Sequence, residues 1–302
     1  MLLNIIKFRR WWYALSALLL VPGVISLLLW GLKPGIDFTG GSLLEIQTKT
    51  DTSAEQVRAA LGETYGTPVV QEESATAYQI RLKGLTPDQR NQILVSLGQS
   101  LDGPVEERRF ETVGPTIGKE LTRKAVTSVI LGSLLIVAYI AYAFRNVPKP
   151  ASGWRFGVTT IFALSHDVLF TLGVFSLLGH FAGIEIDANF VAAVLTVIGF
   201  SVHDSIVVFD RIRENLLRGQ GATLEDTVNL SISQTLVRSI NTSVTVLLVL
   251  GAMLLFGGES IHYFVLALFI GIAIGTYSSI FNAAPVLVSW QLWSQRRAVK
   301  KS

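Results

Sequence analysis

Six stretches of the chain are each apolar over about twenty residues, and this pattern constrains the fold more than any other feature. A bilayer core of roughly 30 Å is crossed by about twenty residues of α-helix. Half of the 302 residues are hydrophobic and 16% are charged, whereas roughly 25% of residues are charged in soluble domains. The six stretches cover residues 11–32, 122–144, 156–179, 187–209, 239–257 and 262–290. We therefore predict a polytopic α-helical membrane protein with six transmembrane helices.

The first stretch resembles a cleavable signal peptide, because Lys7, Arg9 and Arg10 precede it. However, its apolar run of about twenty residues is longer than the core of a signal peptide. It also ends in Leu28-Leu29-Trp30, with no cleavage site of small residues. We therefore expect residues 1–34 to form the N-terminus and a retained first transmembrane helix.

Lysine and arginine are distributed unevenly among the segments that join the spans. They occur before the first span, after the second and fourth spans, and at the C-terminus, whereas loops 180–186 and 258–261 contain none. Cytoplasmic loops carry an excess of these residues. We therefore predict that both termini are cytoplasmic, with transmembrane helices 2–6 within residues 121–294 and a basic cytoplasmic tail at 295–302.

The hydrophilic segment at residues 35–120 lies outside the cytoplasm under this topology. Residues 33–120 contain 9 basic and 13 acidic side chains, whereas the rest of the chain contains 16 basic and 9 acidic ones. This separation of charge is typical of a water-soluble module joined to a membrane domain. We predict an extracytoplasmic domain between the first and second transmembrane helices.

The residue pattern of this domain predicts four strands and two helices. Ser53 and Gln56 are spaced as a capping box, and Pro87 suits the first position of a second helix. The order β-α-β-β-α-β is that of a small α+β ferredoxin-like domain with two helices on one face of an antiparallel sheet. The strands are expected at residues 42–47, 69–70, 78–82 and 107–113, and the helices at 53–65 and 86–101. The predicted role of the domain is contact with a partner or a polypeptide.

Composition excludes several classes of function. The chain contains no cysteine, which excludes disulfides, thiol catalysis and cysteine-ligated zinc. The basic excess lies beside apolar spans, so it does not indicate nucleic-acid binding. Because the sequence has no nucleophile–base or metal-ligand pattern, we predict no enzyme activity, no cofactor and no metal.

Ionisable residues inside a membrane span are costly, so they are candidates for function. Asp204 lies roughly a turn and a half from the cytoplasmic end of the fourth span, and Arg238 opens the fifth. Arg238, Thr242 and Thr245 share one helical face through their spacing. Because Asp204 and Arg238 lie at similar depth on consecutive helices, we predict that they can meet. The alternatives are a structural ion pair for Asp204 and an Arg238 side chain that extends to the membrane surface.

Two His–Asp pairs add further candidates. His166 and Asp167 lie near the middle of the third span, and His203 precedes Asp204 in the fourth. His166 and Asp167 are consistent with either a functional site or an interhelical hydrogen bond, and His203 with either a proton carrier or a hydrogen-bonded core histidine. Adjacent residues point about 100° apart on a helix, so these pairs do not predict a metal site.

The phrase GFSVHDSIVVFDRIREN at Gly199–Asn215 resembles the SecD/SecF family of protein-export membrane proteins, which belongs to the RND superfamily. Three further motifs support the resemblance: GIDFTGG at Gly35–Gly41, WRF leading to ALSHD at Ala163–Asp167, and RSINTS at Arg238–Ser243. Their order and spacing match the family over essentially the whole chain. One residue departs from the pattern, since the family usually has Asn at the position of His203.

The resemblance implies a SecF-like subunit in the bacterial plasma (inner) membrane. With SecD, such a subunit uses the proton-motive force to promote late steps of preprotein export through SecYEG, after SecA has acted. The resemblance assigns Asp204 and Arg238 to the proton pathway, with Asp167, His166, Thr242 and His203 as further candidates, and expects a partner carboxylate on SecD. It also marks Gly35, Asp37, Gly40 and Gly41 as a structural motif.

Two other functions are compatible with the sequence. One is an RND-type proton-coupled exporter of small molecules or lipids, although an outer domain of about 88 residues is small for that purpose. The other is a non-transporting scaffold of the translocon, in which the membrane charges are structural.

Overall fold

A computed structural model describes residues 4–49, 51–62, 68–101, 103–145 and 153–299. The chain divides into two compact units, one formed by Met1–Lys33 with Thr127–Ser302 and the other by Pro34–Val126. In chain order the helices are α1 (Arg9–Leu29), α2 (Ile36–Thr39), α3 (Ala54–Leu61), α4 (Pro87–Ser100), α5 (Pro115–Ala143), α6 (Gly153–Phe181), α7 (Ala188–Leu217), α8 (Leu224–Phe256), α9 (Glu259–Ser278) and α10 (Ala284–Val299). The strands are β1 (Gly41–Gln47), β2 (Val69–Ser74), β3 (Ala77–Leu82) and β4 (Glu106–Val113).

Among the described residues, six helical segments are long and apolar enough to span a membrane. They are Ile6–Leu29, Pro115–Ala143, Gly153–Phe181, Ala188–Leu217, Leu224–Phe256 and Ser260–Arg297. This confirms the six predicted membrane helices. The last segment joins α9 and α10 through a π-helical stretch at Ser279–Ala283, which the apolar pattern did not predict.

Helices α7 and α8 extend beyond their predicted bounds. Helix α7 ends at Leu217 rather than near residue 209, and α8 begins at Leu224 rather than near residue 239. Thr223 starts α8 through a capping box with Asp226. The first turns of α8 are too polar for a hydropathy criterion, but their capping and buried face make them helical.

Small residues allow α1 and α6 to approach closely in the first unit, which is called the membrane unit below and consists of Met1–Lys33 with Thr127–Ser302. A Cβ atom added to Gly173 would lie 2.6 Å from the Cα of Gly23. One turn further along each helix, the hydroxyls of Ser26 and Ser176 are 2.7 Å apart. Close backbone contact of this kind is how membrane helices associate where apolar burial gives no net drive.

Helix α7 lies at the centre of the membrane unit and contacts α6, α8 and α9. Its buried Val197 leaves so little room that a Cβ on Gly271 of α9 would lie 2.2 Å from a Val197 methyl. Towards the other end, Phe209 of α7 packs edge-on against Phe156 of α6 at 5.0 Å between ring centroids. Side chains on α7 are therefore presented to three neighbouring helices.

The second unit contains a four-stranded antiparallel sheet in the order β2-β3-β1-β4. The register places Leu44 of β1 between Ile80 of β3 and Phe110 of β4. Its core also includes the fully buried Ile93 and Leu97 of α4. The predicted β-α-β-β-α-β order and α+β fold are therefore confirmed.

The helices of this unit begin where the sequence predicts. Ser53 caps α3 in a reciprocal bond pair with Gln56, and Thr86 caps α4 in the same way with Gln89. Helix α3 ends at Leu61, and the predicted continuation to residue 65 lies outside the described residues.

The glycine motif forms a short helix rather than a simple turn. Gly35 caps α2, Asp37 is half-buried in its first turn, and Gly40 ends it with φ of 73°. Gly41 then enters β1 with φ of 128°, and a Cβ there would lie 2.8 Å from the carbonyl oxygen of Leu82. These conformations favour glycine over other residues.

Candidate functional site among the membrane helices

The carboxylate of Asp204 is buried on α7, with 2% of the residue exposed. The Ser243 hydroxyl of α8 donates a hydrogen bond to its Oδ2 atom at 3.4 Å. Ser243 in turn accepts a hydrogen bond of 2.6 Å from Thr276 of α9. A chain of two hydroxyls therefore links the carboxylate to two neighbouring helices.

Asp167 of α6 is fully buried and lies at a junction of three elements. Its Oδ2 atom accepts hydrogen bonds from Ser201 of α7 at 2.5 Å and from Ser278 of α9 at 2.6 Å. Its Oδ1 atom lies 2.9 Å from Nδ1 of His166. Gly275 leaves room for Ser201 in this arrangement, since a Cβ on Gly275 would lie 3.2 Å from the Cβ of Ser201.

The second nitrogen of His166 is buried and has no hydrogen-bond partner among the described residues. The predicted His166–Asp167 pair is therefore a close side-chain contact within one helix, and the links between helices come from serine hydroxyls. Those serines, Ser201 and Ser278, are missing from the predicted site residues, as is Ser243, which donates to Asp204.

Arg238, Thr242 and His203 lie on the exposed side of their helices. The Thr242 hydroxyl donates to the carbonyl oxygen of Arg238, one turn earlier on α8. Within the described part of the chain no ion pair joins Asp204 and Arg238, so the structure does not bring together the two residues that were predicted to meet.

Helix rotation explains this separation. Arg238 and Thr242 occupy one face of α8, whereas the adjacent Ser239 and Ser243 are buried. Neighbouring residues point about 100° apart around a helix axis. The sequence placed Asp204 and Arg238 at the same depth, but depth alone does not determine which face of α8 packs on α7.

The chemistry that this site offers is the binding and release of protons. Each of the two buried carboxyl groups can hold or release one proton. Every hydrogen bond that the structure gives to the carboxylate oxygens of Asp204 or Asp167 comes from a hydroxyl or from His166. A change of protonation at Asp204 would alter a hydrogen bond to α8, and one at Asp167 would alter hydrogen bonds to α7 and α9.

Family comparisons cover both units of the chain. The family described as "Protein export membrane protein SecD/SecF, C-terminal" matches residues 94–293. The family described as "SecD/SecF GG Motif" matches residues 26–52, which include Gly35–Gly41.

Similar curated proteins carry the name "Protein translocase subunit SecF". The protein from Thermobaculum terrenum is 47% identical, with 96% of this chain and 94% of the relative covered. The protein from Anaerolinea thermophila is 40% identical over 99% of this chain and 98% of the relative.

Two solved structures are similar to the whole fold. The crystal structure of SecDF, a translocon-associated membrane protein from Thermus thermophilus, is 35% identical with a TM-score of 0.83 and covers 96% of this chain. A SecDF structure in a super-membrane-facing form is 36% identical with a TM-score of 0.71. This chain covers 39% and 40% of those longer chains.

Proposed function

This chain belongs to the SecD/SecF family of protein-export membrane proteins, and we propose that it works with SecD to couple the proton-motive force to late steps of protein export through SecYEG, after SecA has acted. Its role as a SecF-type subunit of the protein translocase rests on full-length similarity to SecF subunits. The proton coupling, the SecYEG and SecA partners and the cytoplasmic location of both termini in the bacterial inner membrane are the proposal.

One observation supports the proposal most strongly. The carboxyl group of Asp204 is buried and accepts a hydrogen bond from the Ser243 hydroxyl. A buried carboxyl group changes the charge of the bundle by one unit when it gains or loses a proton. A proton that crosses the membrane releases about 2.3 kcal/mol per 100 mV. Because a few kcal/mol suffices to bias a two-state equilibrium, proton transfer at Asp204 can drive a rearrangement of α7, α8 and α9.

Asp167 and His166 are proposed as a second group in the proton pathway. The Asp167 carboxylate accepts hydrogen bonds from Ser201, and Ser201 precedes Asp204 by one turn on the buried side of α7. A proton gained at either carboxyl group would therefore act on the same helix.

Arg238 and Thr242 have a different role in the proposal. An exposed arginine and threonine on a membrane helix are costly in contact with lipid, so this face of α8 suits a polar partner surface. We assign the face to SecD, whose own carboxylate would pair with Arg238. His203 lies on the exposed side of α7 and is proposed to line the proton pathway.

The test is preprotein translocation into inverted membrane vesicles that contain this chain with SecD, SecYEG and SecA. Asp204→Asn keeps the shape of the side chain but cannot ionise, so the uncoupler-sensitive part of translocation should disappear. Asp187→Asn is the matched control, because Asp187 caps α7 through its side chain and asparagine caps equally well. The control should keep the uncoupler-sensitive part.

Arg238 provides a second series in the same assay. Arg238→Lys keeps the charge but loses the guanidinium fork, so translocation should fall partly, and Arg238→Ala should lower it further. Asp167→Asn should have a smaller effect than Asp204→Asn. A scaffold predicts a different pattern, in which each loss of translocation follows the loss of complex and the uncoupler-sensitive part is unchanged.

A further inference from the structure

Arg155 lies at the end of the membrane unit where α6 begins and α10 ends. It is near the start of the candidate span Gly153–Phe181 and contacts the last turns of the candidate span Ser260–Arg297. Its guanidinium donates hydrogen bonds to Oε1 of Gln291 and, at 2.9 Å, to Oγ of Ser294. Arg155 therefore joins the first turn of α6 to the last turns of α10.

Two tryptophan rings adjoin this guanidinium. The Cζ atom of Arg155 lies 5.8 Å from the ring centroid of Trp154 and 6.0 Å from that of Trp290. The two rings meet edge to face at 4.8 Å, and Trp154 is 56% exposed. Tryptophan is enriched where the membrane meets water, with its ring at the level of the lipid headgroups. The rings therefore place the Arg155 cation at that level.

No carboxylate neutralises Arg155 in the part of the chain that the structure describes. Both of its acceptors are neutral side chains, and neither Gly153–His166 of α6 nor any position of α10 is acidic. A guanidinium has five N–H bonds. Two are used here, so three of them, including that of Nε, have no acceptor among the described residues.

Other arginines at the same end of the membrane unit have carboxylate partners. Arg9, at the start of α1, pairs with Glu225 at 2.6 Å. Arg218, at the end of α7, pairs with Glu214 at 2.6 Å. The fold thus pairs arginines with acidic residues at this end, whereas Arg155 keeps its full positive charge and part of its hydrogen-bonding capacity for another group.

Arg297 adds a second positive charge close to the first. Ser294, which accepts from Arg155, lies three residues before Arg297 on α10, so the two are neighbours on the helix surface. The Cζ atom of Arg297 lies 3.8 Å from the ring centroid of Trp293, and within the described ranges no carboxylate pairs with Arg297. Two neighbouring cations repel each other, and an anion bound at both removes that repulsion.

We propose that Arg155 and Arg297 bind the phosphate group of an anionic phospholipid at the membrane face where α6 begins and α10 ends. Arg155 donates its remaining N–H bonds to the phosphate oxygens, in the forked geometry that arginine offers to phosphate. The rings of Trp154 and Trp293 contact the lipid beside its headgroup. Because two positive charges meet one phosphate, a headgroup with a net negative charge binds better than phosphatidylcholine. The inference is independent of proton transfer at Asp204.

The first test measures lipid binding to the purified full chain by native mass spectrometry. Phosphatidylglycerol and phosphatidylcholine with the same acyl chains are titrated in detergent, and the apparent Kd of the first bound lipid is determined. We expect Arg155→Gln to weaken the binding of phosphatidylglycerol about tenfold, because charge-assisted hydrogen bonds to the phosphate are lost. Its binding of phosphatidylcholine should change less.

Arg145→Gln is the matched control for this titration. Arg145 lies at the same end of the membrane unit and also over an aromatic ring, that of Tyr142 at 4.0 Å, but it is exposed and follows α5. This variant should bind phosphatidylglycerol as the unsubstituted chain does. Equal affinities of Arg155→Gln and Arg145→Gln for phosphatidylglycerol would overturn the inference.

The second test distinguishes a lipid from a free anion. A ligand that binds only the folded state raises the melting temperature. Phosphatidylglycerol should raise the melting temperature of the unsubstituted chain and of Arg145→Gln more than that of Arg155→Gln, whereas inorganic phosphate alone should raise none of them. An equal rise with inorganic phosphate would indicate a site for free phosphate and would overturn the assignment to a lipid.

Arg297→Gln keeps the inference testable if Arg155→Gln does not fold. Arg297 is exposed near the end of α10, and its ring contact lies within that helix. Removal of one positive charge at the membrane surface should weaken the binding of phosphatidylglycerol about fivefold. An affinity equal to that of Arg145→Gln would contradict the proposed site.

Discussion

Ser278, at the end of α9, donates a hydrogen bond of 2.6 Å to Asp167 in the middle of α6. The π-helical stretch that separates α9 from α10 begins at the next residue, Ser279. Single π-helical turns inside helices are frequent at functional sites. The bond therefore joins the irregular point of the last membrane segment to a buried carboxylate.

Ser278→Ala should destabilise the membrane unit. The substitution removes one of the two hydroxyls on Oδ2 of Asp167 and leaves a buried acceptor less satisfied, which costs about 1–3 kcal/mol. The measurement is thermal unfolding of the purified chain in detergent. Ser279→Ala is the control, since the Ser279 hydroxyl donates only to carbonyl oxygens of its own helix, and its effect should be smaller. Equal melting temperatures for Ser278→Ala and the unsubstituted chain would show that this bond does not stabilise the bundle.

Gly173→Ala should separate α1 from α6. The added methyl group would lie 2.6 Å from the Cα of Gly23, so the backbones must move apart and the Ser26–Ser176 contact must lengthen. Overpacking of this kind costs about 1–3 kcal/mol. Gly157→Ala on the same helix is the control, because a Cβ there meets nothing within 4 Å. The prediction is tested by comparing the melting temperatures of both variants, and it fails if they are lowered equally.

Local signals in the sequence predict the second unit well. The capping box at Ser53 and Gln56 involves residues three apart, so it is readable without any knowledge of the fold. The alternation of apolar residues in β1 likewise places Leu44 and Ile46 in the core, as observed. These features depend on neighbours in the sequence, and the structure confirms them.

The arrangement of the candidate site depends on neighbours in space. Hydropathy gives the depth of Asp204 and Arg238 in the membrane but not the rotation of α8 about its axis. The sequence therefore did not predict the hydrogen bond from Ser243 to Asp204. Ser201 and Ser278 are 34 and 111 residues from Asp167, and no local rule pairs them with it. The spacing of hydroxyls by four residues along α8 is one signal in the sequence that indicates its buried face.

Tyr78 makes the stability of the second unit decrease at alkaline pH. Burial raises the pKa of the Tyr78 hydroxyl above its ordinary value of 10.0, and the hydroxyl donates to the carbonyl oxygens of Thr52 and Ala75. A raised pKa in the folded state means that the stability is complete below the unfolded pKa and is lost as pH rises through the folded one.

We therefore expect Tyr78→Phe to destabilise the unit near neutral pH by about 1 kcal/mol, and this difference should shrink above pH 10. The measurement is urea unfolding of residues 35–118 expressed alone, which should give the circular-dichroism spectrum of a mixed α/β domain. A difference between the two proteins that stays constant up to about pH 11 would contradict the role of the buried hydroxyl, and a disordered fragment would contradict the independence of the unit.

The proposed topology places the second unit and the α7–α8 loop on opposite sides of the membrane. Cysteine introduced at Thr76 should react with an impermeant reagent in intact cells. Cysteine introduced at the exposed Gln220 should react only after the cells are opened. The chain has no native cysteine to complicate the result, and the reverse pattern would contradict the topology and the direction of proton movement.

Proton movement through Asp204 can be measured as proton uptake. Proteoliposomes that contain this chain with SecD would be given a pH gradient and a membrane potential, and the internal pH would be followed with a trapped dye. Asp204→Asn should reduce uptake to that of protein-free liposomes, whereas Asp187→Asn on the same helix should leave it unchanged. Equal uptake by Asp204→Asn and Asp187→Asn, at equal amounts of complex, would contradict the assignment of Asp204 to the proton pathway.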